Sequence, residues 1–228
     1  MKYTLVVCLI AVTLTFVDVQ HARAQSPTLR KGVSVQMVTT THATPFSAAD
    51  EQDAWVVTVT ADGSLYFDAD PMTVETLADW MKTHPRNREA NLYIKADART
   101  PFASVKAALG PAHSSNFEEV VLLTSQPASR VAGSIVAPSG IDVLLRSPSG
   151  PVIQVRLSGT AQGSTLTVND RRATPQELGS TLKELLHNRA QVVQVEANDT
   201  VRFGEIMRVI DEARGAGATV ALPTFHAI

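Results

Sequence analysis

The chain has 228 residues, 20 lysines and arginines against 22 aspartates and glutamates, one cysteine and 44% hydrophobic residues. Near-neutral charge excludes an arginine-rich nucleic-acid binder and a polybasic membrane-surface protein. An ordinary 18% of charged residues excludes a disordered or fibrous chain.

The first element is a leader. Lys2 supplies a small positive region, and Tyr3 to Val17 is a fifteen-residue, mainly apolar run, short for a bilayer span. Ala22-Arg23-Ala24 has the small-x-small pattern of a cleavage site, which predicts a signal peptide over 1–24 and a cut between Ala24 and Gln25. The alternative is an uncleaved N-terminal anchor. Leu5-Val6-Val7-Cys8 does not suit a lipoprotein signal, because Val7 is bulky where a small residue is needed. Removing the leader removes Cys8, the only thiol, and with it disulfides, cysteine zinc sites and a thiol nucleophile. No later stretch reaches eighteen apolar residues.

Beyond the leader, Gly32–Met37 alternates and reads as an edge strand or a segment for another chain. Val57 and Val59 precede Asp62-Gly63, a hairpin turn, and Leu65 and Phe67 return. Thr73 caps a helix through Leu77, Trp80 and Met81 that Pro85 stops. Its third helical residue is Thr76, not a carboxylate, so no reciprocal cap bond is expected. Leu92, Ile94 and Ala96 form a strand, and Pro101-Phe102 opens a helix ended at Gly110-Pro111. Val120–Leu123 closes this half, and the small residues of Gln126–Ser134 read as a linker.

The second half opens on another alternating segment, Gly140–Leu145. Ile153, Val155 and Leu157 make a strand, with Leu166 and Val168 on the return. Thr174-Pro175-Gln176-Glu177 carries a cap, a proline at the first turn and a capping box. The stripe Leu178, Leu182, Leu185 and Leu186 follows, purer than that of the first half, where His84 and Pro85 stand in place of two leucines. Val193, Val195 and Ala197 form a strand. A helix through Phe203, Ile206, Met207 and Ile210 ends near Gly215-Ala216-Gly217, and Thr219–Leu222 closes the chain's last strand.

The two halves are one pattern written twice. Shifting the chain by 101 residues aligns Leu65–Leu109 with Leu166–Ile210 without a gap, and the apolar positions recur in register. The expected fold is α+β: two tandem ββαβαβ two-layer sandwiches over 26–128 and 129–228, each with its own core. Residues 26–128 carry 8 basic against 12 acidic groups and residues 129–228 carry 10 against 9, a mild opposition that suits two halves in contact.

No catalytic constellation emerges, and no cofactor or metal is expected. His42, His84, His113, His187 and His226 are scattered, and the phosphate-loop, nucleophile-elbow and dinucleotide patterns are missing from the sequence. Asp68, Asp70, Asp97 and Asp199 read as turn formers and helix-start complements. Trp55 and Trp80 read as packing residues.

Glu196-Ala197-Asn198-Asp199-Thr200-Val201-Arg202-Phe203-Gly204 with Val209-Ile210-Asp211, then Ala216-Gly217 and Val220-Ala221-Leu222, resembles the periplasmic domain of the ExbD/TolR family, whose pattern runs A-D-x-x-V-x-Y-G-x-V-x-x-V-M-D-x-x-x-x-A-G. Thr174–Leu178 is similar to that family's helix opening. Lys95-Ala96-Asp97 keeps the start of the motif in the first half, where Pro101-Phe102-Ala103 replaces the tyrosine-glycine step. The resemblance implies a non-enzymatic, periplasmic protein of Ton/Tol energy-transducing transport. It would act through contact with an ExbB-, TonB- or TolA-like protein or peptidoglycan, and not with nucleic acid. Tandem copies imply an intramolecular pseudo-dimer, with a dimer of chains as the alternative. The family's anchor helix carries a proton-linked aspartate; Asp18 follows the apolar run and reads as a polar residue of the leader. With the leader uncleaved, the expectation becomes a membrane-anchored, ExbD-like transport subunit of the inner membrane.

Overall fold

A computed structural model describes residues 32–84, 91–125, 137–146, 148–160, 163–187 and 191–223, all within one compact unit of residues 31–228. The leader, its Ala24–Gln25 step, Asp18, Pro85, the linker 126–134 and His226 lie outside the described residues.

The first half begins with a two-residue strand β1 (Thr44–Pro45) and a 3-10 turn (Ser47–Asp50). Then come β2 (Trp55–Val59), β3 (Leu65–Phe67), β4 (Asp70–Met72), α1 (Val74–Thr83), β5 (Leu92–Ala96), α2 (Phe102–Ser114) and β6 (Glu119–Thr124). A bridging strand β7 (Ser139–Leu144) leads to the second half: β8 (Val152–Thr160), β9 (Gly163–Val168), β10 (Arg171–Ala173), α3 (Pro175–Leu186), β11 (Val192–Ala197), α4 (Phe203–Gly215) and β12 (Thr219–Ala221). β4 and β10 begin 101 residues apart, as do α2 and α4. Besides β1, each half thus gains one short strand over the expected ββαβαβ, β4 and β10, added where the chain turns back through Asp68 and through Asn169-Asp170, all at positive φ.

The strands form one mixed sheet, ordered β10-β9-β8-β11-β12-β7-β6-β5-β2-β3-β4, where a separate sheet in each half was expected. β7 joins them: it pairs antiparallel with β6 and parallel with β12. The Gly140–Leu145 segment therefore lies at the centre of the sheet, not at an edge. Close approach is built into it, since a Cβ on Gly140 would meet the Leu122 carbonyl at 2.9 Å. Gly32–Met37 forms no strand.

The core is also shared. Val57, Ile94, Val120, Ile141, Val155, Val195 and Val220 pack with the apolar faces of all four helices in one cluster spanning both halves. Alternate residues Val56, Tyr93, Val121 and Leu123 form a second small cluster on the opposite face, covered by Met37, Phe46 and Ala49. In α3, Leu178 and Leu182 are fully buried while Leu185 and Leu186 are only partly so, which matches Leu77 and Met81 in α1. The purity of the leucine stripe therefore adds little burial. Trp80 and Trp55 pack on Phe67 and on each other, centroids 3.9 to 6.0 Å apart, as packing residues.

Two helix ends differ from expectation. α2 runs through Gly110-Pro111 to Ser114, because its buried face continues from Leu109 to Ala112 and outweighs the one amide that Pro111 lacks. At α1, the Thr76 amide donates to the Thr73 hydroxyl at 3.2 Å and the Thr73 amide to the Thr76 hydroxyl at 2.8 Å, so a threonine supplies the reciprocal bond. At α3 the Thr174 amide and hydroxyl both donate to Glu177 Oε2, at 3.3 and 2.8 Å.

Candidate partner-binding site

Where the two halves meet, they exchange backbone hydrogen bonds in reciprocal pairs. Phe102 N–H donates to Val201 O and Phe203 N–H to Thr100 O, both at 2.9 Å. Ala103 N–H donates to Asp199 O at 3.1 Å, and Gly204 N–H to Ala98 O at 2.9 Å. Each partner stands 101 residues from its counterpart, around an antiparallel bridge of Pro101 to Arg202. Gly204 is required here, since a Cβ would sit 2.9 Å from the Ala98 carbonyl.

Beside this junction lies a cavity of about 240 Å³ reached by Phe102, Lys106, Arg156, Glu196 and Asn198. Its charges neutralise one another: Lys106 pairs with Asp199, and Arg156 with both Glu196 and Asp170. Burial pushes the Glu196 carboxyl up, and hydrogen bonds from Arg156, Gln194 and Gln154 outweigh it and hold the group below its ordinary pKa. Among the described residues no histidine lines the cavity. Among the described residues no three metal-ligating side chains gather to hold an ion.

A strap of residues 33–42 crosses from the first half to the second. Lys95 Nζ donates to Val33 O at 2.9 Å, and burial lowers its pKa. Asp97, 2% exposed, accepts from Arg99 Nε, Nη2 and N at 2.8, 2.9 and 3.0 Å and from Gln36 N at 2.9 Å. The Arg99 bonds hold its carboxyl well below the carboxylate range against the opposing effect of burial. Further on, Thr41 N and Oγ1 donate to Asp211 Oδ2 at 2.9 and 3.0 Å, and His42 N to Oδ1 at 2.8 Å. Of the four aspartates read as turn formers, Asp68 fits, with φ 56°, and Asp70 opens β4 beside that turn. Asp199 lies in the turn before α4 and pairs with Lys106 of α2. Asp97 opens the matching turn, as read, with Thr100 N–H on its carbonyl and Arg99 N–H on its carboxylate; its further role as the anchor of Gln36 was missed by the sequence reading.

An apolar recess near an edge lies between the β9–β10 hairpin, the start of α3 and α4. Its volume is about 390 Å³, its floor includes Leu157, Leu166 and Leu178, and Arg172 and Arg208 stand on its rim. The hairpin reaches α4 through Ser164, bonded to Glu205; at the equivalent place Gly63 lies on Ser104, close enough that a Cβ would meet the hydroxyl at 2.5 Å. The β8–β9 pairing spans six residue pairs against three in β2–β3. Arg171 and Arg172 were not singled out in the sequence, although the 101-residue register sets them against Asp70 and Pro71.

Among the described residues no helix is long and apolar enough to cross a membrane. Residues 3–127 match the family model of the biopolymer transport protein ExbD/TolR, over the first half and the N-terminal apolar run, whereas the motif quoted above lies mainly in the second half. No curated protein matches the chain. The matched family is envelope-associated and non-enzymatic, and its members act with partner proteins of the Ton/Tol systems in energising biopolymer transport. With more than half its length under that model and a mixed α/β architecture around it, the chain belongs to the ExbD/TolR family.

Proposed function

We propose that this protein is an exported component of a Ton/Tol-type system, built from two copies of one ExbD/TolR periplasmic module over 26–128 and 129–228. A signal peptide cut between Ala24 and Gln25 would deliver it to the periplasm, where it acts by contact with an ExbB-, TonB- or TolA-like protein or with peptidoglycan. The observation that carries the duplication is the reciprocal exchange around Pro101 and Arg202, which gives each half the same backbone partners. Two copies in one chain make a pseudo-dimer with one fixed geometry, leaving the outer surfaces free to diverge. Affinity capture from the periplasm with the tagged chain tests the reading: an envelope protein or peptidoglycan fragment should be retained. Retention of neither would refute it.

A second reading is favoured by the start of the family match at residue 3, which takes in the apolar run. In it the leader stays as a single inner-membrane anchor and the chain assembles with an ExbB-like protein. Mass spectrometry of the N-terminus separates the two: a chain beginning at Gln25 supports export with cleavage, and one beginning at Met1 supports the anchor.

A further inference from the structure

The two free edges of the sheet differ in one backbone group. In the first half Thr60 N–H donates to Ser64 O and Asp68 N–H to Val56 O, both at 3.0 Å. Antiparallel pairs alternate between bonded and non-bonded, so Tyr66 turns its backbone groups to Thr58, and the Tyr66–Pro71 pair is non-bonded. Pro71 therefore faces outward with a nitrogen that carries no hydrogen. That edge is closed at its centre.

In the second half Asn169 N–H donates to Gln154 O at 2.8 Å, which by the same alternation turns Thr167 to Arg156 and leaves the Thr167–Arg172 pair non-bonded. Arg172 occupies the place of Pro71 and presents both an N–H and a carbonyl at the free edge. This edge is open.

Charge and shape select what it accepts. Among the described residues Arg171, Arg172 and Arg208 have no carboxylate partner. Neighbouring acids are engaged: Asp211 by the strap, Glu205 by Ser164 and Glu177 by Thr174. Glu212 on the rim of the recess lies against Gly179, and Glu184, itself engaged, lines the neighbouring cavity. Cavities of about 390 and 530 Å³ both reach Arg172 and Ala173, the first over Leu166 and Leu178.

We infer that β10 is a docking edge for an extended, acidic segment of a partner protein, which adds as a strand with an apolar side chain in the recess over Leu166 and Leu178. The inference rests on the partner-binding reading above and assigns it a site. A second copy is the poorer occupant: its β4 edge lacks the N–H at Pro71, and its β10 edge would set arginine against arginine.

The test is fluorescence anisotropy of the full chain with a labelled ten-residue peptide of alternating Glu and Val, and with a Lys/Val peptide as control. The acidic peptide should bind and weaken with salt, and the control should not bind. Arg172→Pro removes an N–H that no sheet bond uses and should weaken binding by roughly tenfold or more at an unchanged melting midpoint. Arg172→Gln keeps the backbone and should weaken it a few-fold, so the charge is tested even if the proline variant unfolds. Equal binding by Arg172→Pro in its folded form, no binding by the wild type at about 1 mM peptide, equal binding of the Lys/Val peptide, or a homodimer abolished by Arg172→Pro would each overturn the inference. Periplasmic capture of one envelope protein by wild type and Arg172→Pro alike would remove this edge while leaving the partner-binding reading standing.

Discussion

Thr100 and Val201 perform one task with different side chains. Thr100 is fully buried, and its carbonyl accepts from Phe203 N–H at 2.9 Å; Val201, 2% exposed, accepts from Phe102 N–H at the same distance. The Thr100 hydroxyl has no hydrogen-bond partner among the described residues. Burying a hydroxyl unpaired costs about 1–3 kcal/mol, and valine replaces it with a methyl of nearly the same volume. Thr100→Val should therefore stabilise the protein by about 1–2 kcal/mol, raising the melting midpoint by roughly 2–8 °C for a domain of this size. Val201→Thr is the reverse experiment at the equivalent place and should destabilise by a similar amount. Denaturant unfolding with an unchanged slope, together with calorimetry, measures both. A destabilised Thr100→Val variant, or a neutral Val201→Thr variant, would refute the argument from the unpaired hydroxyl.

Other expectations follow from the same contacts. Asp97→Asn should destabilise by about 2 kcal/mol, since the charge-assisted bonds to Arg99 weaken and the strap loses its acceptor at Gln36. Because Asp97 has a depressed folded pKa, its contribution is full above the unfolded value near 3.8 and fades as pH falls below it toward the folded value. Acid titration of stability should thus be shallower in Asp97→Asn than in the wild type. Gly204→Ala should cost on the order of 1–3 kcal/mol, because its Cβ drives against the Ala98 carbonyl, whereas Ala103→Gly at the equivalent position should cost at most about 1 kcal/mol; equilibrium unfolding compares them. Thr73→Ala should destabilise by about 1 kcal/mol, and Thr174→Ala by a similar amount, as each threonine hydroxyl is bonded to the third helical residue; a clear inequality in denaturation midpoints would contradict the cap geometry.

The amino-acid sequence by itself determined the four helices, most of the strands and their order. Alternation at Ile153–Leu157, the proline-led start at Pro175 and the glycine stop at Gly215–Gly217 are local signals, fixed by backbone sterics and by the period of apolar residues, and each lies where it was read. The 101-residue spacing, too, was visible in the chain. Tertiary structure decided what local pattern leaves open. Alternation in Gly140–Leu145 marks a strand but not its neighbours, and only the gap between β6 and β12 turned it into the joint of a shared sheet. Gly110-Pro111 reads locally as a stop, yet burial of α2 beyond it carried the helix on. Asp97 is the turn residue it looked like, but only folding brought Gln36 from 61 positions away to its carboxylate. The difference between the Pro71 and Arg172 edges is of the same kind. The residues are plain in the sequence, but which way their backbone groups face depends on strand register, a long-range property set by the pairing of whole strands.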